Sequence, residues 1–159
     1  MKKIESFLVD HTRLSEGLYV SRRDNTPSGD ILTTIDIRMQ WPNHSYIQPK
    51  AMHTIEHLGA TWLRNDVVLG DKVVYFGPMG CATGFYLILQ GEWDSHQLVD
   101  TMIRLMAFIR DYKGEIPGAT MKECGNYLYH DLQEAKKVAA EYIECLYNIT
   151  AEKLSYPKD

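Results

Sequence analysis

No stretch of this sequence is long and apolar enough to cross a bilayer: the greasiest segment, residues 98–109, is short and carries Asp100 and Arg104. Basic charge is not in excess either. Seventeen Lys and Arg stand against 21 Asp and Glu, a net charge of -4, which argues against nucleic acid as a partner. Cysteine is scarce and odd in number, with Cys81, Cys124 and Cys145 widely spaced, so a disulfide framework is not expected and a reducing compartment suits the chain. Lys2 and Lys3 imitate the start of a leader peptide, but Glu5 and Asp10 interrupt the apolar run that would have to follow. A cytoplasmic location is therefore expected. Repeats, linkers and low-complexity segments are absent.

What remains is an ordinary globular composition, 45% hydrophobic and 24% charged over 159 residues, enough for one domain spanning residues 1–159 with its own core. Alternating apolar residues predict strands over residues 18–22 and 31–39, with the turn Asn25-Thr26-Pro27-Ser28-Gly29-Asp30 between them. Met52, Ile55, Leu58 and Leu63 predict a helix over residues 51–64. Strands are expected over residues 72–76 and 84–90, joined by Gly77-Pro78-Met79-Gly80-Cys81 as a constrained loop. A helix capped by Asp94 or Ser95 follows, with Leu98, Val99, Met102, Ile103, Met106 and Ile109 as its apolar stripe. The last helix opens on a capping box of Asp131 and Glu134 and buries Leu132, Ala135, Val138, Ala139, Tyr142, Ile143 and Leu146. Helices segregated among antiparallel hairpins predict an α+β fold, an antiparallel sheet packed against helices in a single-domain sandwich, with an edge left for a partner.

The most informative segment is His53-Thr54-Ile55-Glu56-His57. Two His at i and i+4 on a helix lie about 40° apart around its axis, close enough to bind one metal ion. With six His in the chain, chance alone would give H-x-x-E-H in about one of seventy such sequences. Glu56 falls beside the pair, placed to move a proton without being a ligand. A third ligand is needed, and Cys124, Cys81, His11, His44, His96, His130 or a carboxylate are all of suitable chemistry. Cys81 follows a Gly-Pro-Met-Gly run in which backbone N–H groups can stabilise a thiolate, whereas Cys145 lies within the last helix as a core residue.

Further segments extend the pattern: Ser6-Phe7, Val9-Asp10-His11-Thr12, Asp36-Ile37-Arg38, Pro42-Asn43, Pro78-Met79-Gly80-Cys81 with Thr83-Gly84, Cys124-Gly125, and His130-Asp131-Leu132-Gln133-Glu134-Ala135. With His53-Thr54-Ile55-Glu56-His57-Leu58 among them, the chain resembles the S-ribosylhomocysteine lyase (LuxS) family nearly end to end. One departure stands out: the family pattern has Asp-Ile-Ser before Pro-Met-Gly-Cys, and this chain has Tyr75-Phe76-Gly77.

The resemblance implies His53, His57 and Cys124 as ligands of one divalent metal per subunit, ferrous iron (Fe2+) replaceable by zinc or cobalt. It implies cleavage of S-ribosylhomocysteine to homocysteine and 4,5-dihydroxy-2,3-pentanedione, the autoinducer-2 precursor of quorum sensing, by carbonyl migration through enediolates and β-elimination. Cys81 and Glu56 are then the catalytic acid/base pair. Arg38 favours the Cys81 thiolate and holds substrate, and Ser6 and His11 contact the sugar across a homodimer interface. Phe7, Leu8 and Val9 form an apolar run consistent with such an interface. The competing classes are a small H-x-x-E-H metallohydrolase acting on peptides and a non-enzymatic metal-binding module.

Overall fold

The computed structural model describes residue 4 and residues 7–157. Two strands, β1 (Gly17–Asn25) and β2 (Ile31–Arg38), form the first hairpin, and α1 (Pro49–Asn65) follows. A second hairpin, β3 (Val73–Pro78) and β4 (Gly84–Gln90), leads into α2 (Ser95–Asp111) and, after a long connection, α3 (Leu132–Tyr147). The sheet is antiparallel with order β1-β2-β4-β3. The expected α+β sandwich is what forms.

Strand alternation assigns the two faces. Ile35 pairs with Leu87 and Ile37 with Phe85, and these residues join Leu18, Phe76 and Leu89 in a core shared with the three helices. The helices contribute Ile55, Leu58 and Leu63 from α1, Leu98, Met102, Leu105 and Met106 from α2, and Val138, Tyr142 and Leu146 from α3. Val99, Ile103 and Leu132 pack against that core half-buried, so the expected stripes are rotated slightly. The opposite face carries Tyr19, Asp36, Arg38 and Tyr86, and there the 3-10 turn Ala151–Leu154 packs against β1 and Tyr156 stacks on Tyr19.

Several boundaries differ from the sequence reading for identifiable reasons. β1 runs to Asn25 because its exposed charged half, Arg22 to Asp24, still pairs with Thr34, Thr33 and Leu32 after a bulge. Helix α1 begins at Pro49, whose fixed φ and missing N–H suit the first helical turn. Gly77 and Pro78 belong to β3, paired with Tyr86 and Phe85, because an edge strand tolerates proline at its end. The connecting loop is therefore short, and the positive φ of Ala82 (61°) closes it. Asp94 caps α2, with the Gln97 side chain accepting from the Asp94 N–H at 2.8 Å. At α3, Asp131 accepts from the Glu134 N–H at 2.9 Å, which is half of the expected capping box.

Candidate functional site

Helix α1 presents His53 and His57 on one face, one turn apart, and the connection between α2 and α3 folds back over them. Its backbone fixes both rings. His53 Nδ1 lies 2.7 Å from the Tyr129 carbonyl and His57 Nδ1 2.8 Å from that of Pro117. A carbonyl only accepts, so each Nδ1 carries the proton and each Nε2 keeps its lone pair, the tautomer a metal ligand needs. Gly118, with φ 70°, allows the Pro117 carbonyl to approach.

The two Nε2 atoms are 3.1 Å apart, and Cys124 Sγ stands 3.4 Å from that of His53. Tetrahedral bonds of ~2.1 Å to nitrogen and ~2.3 Å to sulfur place donors ~3.4–3.6 Å apart, so this donor set fits a divalent ion with little adjustment. The Asn126 N–H, 3.4 Å from Cys124 Sγ, supports negative charge on that sulfur. His130 completes a four-residue group whose donor atoms all lie within 4.8 Å of one another. Its ring stacks on that of His53 at 4.1 Å. Thr54 donates its hydroxyl proton to the Lys50 carbonyl, so at 3.2 Å His130 Nδ1 is the donor to Thr54 Oγ1, leaving a buried Nε2 with no partner among the described residues. Burial, and then His53 and His57, hold His130 down to about 4, so this ring is neutral. Among the candidate third ligands, Cys124 and His130 join the pair, and Cys81, His11, His44 and His96 do not. Glu56 lines the same depression, about 520 Å³ in volume and open to solvent.

Cys81 lies elsewhere. It lines a second depression of about 710 Å³ with His11, Asn43, His44, Tyr46 and Thr83, and the two depressions share no lining residue. Thr83 Oγ1 is 3.0 Å from Cys81 Sγ, and Arg38 Nη1 reaches both, at 2.6 Å and 3.8 Å. Burial alone would raise the Cys81 thiol, but the Thr83 hydroxyl and N–H and the Arg38 guanidinium outweigh it and hold the thiol below its ordinary range.

Arg38 itself is only 2% exposed and paired with Asp36, which is fully buried, at 2.6 Å. Burial pushes the Asp36 carboxyl up while Arg38 opposes the rise. Both long branches of the guanidinium are thus committed within the chain. Sequence reasoning missed Thr83 and Asp36 as partners, although the i, i+2 spacing of Asp36 and Arg38 on a strand already sets them on one face. His11 is half-buried, with Nδ1 2.8 Å from the Val9 carbonyl. Ser6 lies outside the described residues.

Tyr75 and Gly77 are a matched pair. The Tyr75 ring lies along the strand over Gly77, in the space that a side chain at position 77 would take. Tyrosine and glycine here therefore depart together from the Asp-Ile-Ser pattern.

The family described as S-Ribosylhomocysteinase (LuxS) matches residues 4–153. An S-ribosylhomocysteine lyase from Borreliella burgdorferi is 53% identical over 158 residues, covering 99% of this chain and 100% of that protein. Those from Phocaeicola vulgatus and Clostridium acetobutylicum are 50% and 49% identical, each covering 99% of this chain and 98% and 100% of their own lengths. With this match over nearly the whole sequence, and with two His and a Cys gathered at metal-binding distance, the chain belongs to the S-ribosylhomocysteinase (LuxS) family.

Proposed function

We propose that this protein cleaves S-ribosylhomocysteine, a carbon–sulfur lyase reaction that releases homocysteine and 4,5-dihydroxy-2,3-pentanedione. The observation that carries the reading is the donor set of His53, His57 and Cys124 with Glu56 beside it in an open depression. A divalent ion held there, ferrous iron by the family resemblance with zinc or cobalt as replacements, supplies Lewis acidity for the sugar carbonyl. His130 backs the site as a neutral ring stacked on His53.

The chemistry is a sequence of proton transfers. Each carbonyl shift takes a proton from the carbon beside the carbonyl and returns one to the former carbonyl carbon; the last step removes a proton from C4 and expels the homocysteine thiolate from C5. No net oxidation occurs. Cys81 and Glu56 are the two groups that share these transfers, and the depressed thiol of Cys81 suits it to act as base and then acid near neutral pH. Arg38 favours the Cys81 thiolate, and His11 and Ser6 are assigned to the sugar hydroxyls. Arg38 is also assigned to hold substrate; its Nη1 and Nη2 already donate to Thr83 and Asp36, while its buried Nε has no partner among the described residues.

Two features support a homodimer with shared sites. The acid/base pair is divided between two depressions of one chain, so a single sugar meets both groups when the Cys81 depression of one copy faces the metal depression of the other. Phe7 (71% exposed), Leu8 (58%) and Tyr75 (47%) also offer apolar surface to a second copy. No helix among the described residues is long and apolar enough to cross a membrane, and three free thiols suit the cytoplasm. Anaerobic incubation of iron- or cobalt-loaded protein with S-ribosylhomocysteine should release free thiol; none above background would defeat the assignment.

A further inference from the structure

The Cys81 thiol ends a chain of polar groups that begins at the other end of the sequence. Tyr156, in the segment after α3, donates its hydroxyl to Asp36 Oδ2 at 2.7 Å, and its ring stacks on Tyr19 at 5.1 Å. The same Asp36 oxygen accepts from Arg38 Nη2 at 2.6 Å, and Arg38 Nη1 donates to Thr83 Oγ1 at 2.6 Å. A guanidinium only donates, so one lone pair of the Thr83 hydroxyl is taken by a cation. That makes the hydroxyl a poorer acceptor and a stronger donor, and the atom in front of it is Cys81 Sγ at 3.0 Å.

We propose that Thr83, Asp36 and the C-terminal Tyr156 are positioning residues for Cys81: Thr83 aims its hydroxyl proton at the sulfur, and Tyr156 steadies the carboxylate that holds Arg38 in place. This rests on the reading of Cys81 as the proton-transfer thiol. Every link is a charge-assisted or hydroxyl bond at 3.0 Å or less, and the Asp36–Arg38 pair at its centre is shut from water, where such bonds are strongest. Among the described residues, the other ionisable groups facing Cys81 are His11 from the amino-terminal segment, His44 and Tyr46 from the segment before α1, and Tyr86 from β4. None of the four lies within hydrogen-bond distance of the sulfur, whereas Thr83 does. The arrangement also gives the C-terminal segment a function, since Tyr156 reaches Asp36 across 120 positions of sequence.

The test is the pH dependence of Cys81 alkylation by iodoacetamide in the metal-loaded protein without substrate, read by mass spectrometry of the Cys81 peptide, with the Cys145 peptide as internal control. Thr83→Val keeps the shape and removes the hydroxyl, and should raise the midpoint by about one pH unit, the loss of one hydrogen bond to a charged group. Thr83→Ser should restore it. Tyr156→Phe should raise the midpoint by a smaller, measurable amount, with the Cys145 profile unchanged. A Thr83→Val profile superimposed on that of the native protein overturns the proposal. So does a Thr83→Ser shift as large as that of valine, or an unshifted Tyr156→Phe profile in a folded protein. Because alkylation needs no substrate, its outcome is separate from the lyase assignment, which fails only if native protein with a normal profile releases no homocysteine.

Discussion

Mixing two inactive variants tests whether the two depressions work as halves of one site. A Cys81→Ala chain lacks the thiol in one depression, and a Glu56→Gln chain lacks the carboxylate in the other. In a mixed dimer with shared sites, one site takes Glu56 from the first chain and Cys81 from the second and is intact. The other collects both lesions. Equal amounts exchanging freely give half mixed dimers, each with one working site of two, so homocysteine release should recover to about a quarter of the native rate. The control is Cys81→Ala mixed with His11→Ala. These residues line one depression, so every site in that mixed dimer carries a lesion and no activity should return. Thiol release under initial-rate conditions measures both, after native mass spectrometry has shown subunit exchange and each variant alone has been shown inactive. Two results would refute the reasoning: no recovery in the first mixture despite exchange, which puts the whole site within one chain, or recovery in the second, which separates His11 from Cys81.

Other expectations are simpler to read. Glu56→Gln should lower turnover about 10²–10⁴-fold with metal content unchanged, measured by thiol release and elemental analysis. Cys124→Ala should lose its metal to a chelator that leaves the native protein loaded, and its melting temperature should no longer respond to added metal. Arg38→Met leaves the fully buried Asp36 without its cation and should cost about 3–5 kcal/mol in guanidinium unfolding. Gly84→Ala would push a methyl into the backbone carbonyl of Ile37 and should cost roughly 1–3 kcal/mol, whereas Gly77→Ser, which meets only the tip of the half-exposed Tyr75, should cost under about 1 kcal/mol.

How much of this was readable in the sequence depends on where each signal resides. The His53–His57 pair is a property of one helix, and periodicity alone puts both rings on one face. The carbonyls of Pro117 and Tyr129, which set the ring tautomers, are backbone groups delivered by a loop, and no side-chain pattern announces them. β1 past the bulge was hidden by its charge, and Gly77-Pro78 by its turn-like composition, because both depend on a neighbouring strand to pair with. Arg38 shows the limit from the other side. Read alone, an arginine on a strand is a solvated surface cation. Yet Asp36-Ile37-Arg38 sets a carboxylate and a guanidinium on one face two residues apart, and once Tyr156 and Thr83 close over them the pair is sealed. The local half of that arrangement follows from strand geometry. The closure follows only from where Tyr156 packs against Asp36, and it holds two of the guanidinium's donors within the chain, beside the Cys81 thiol.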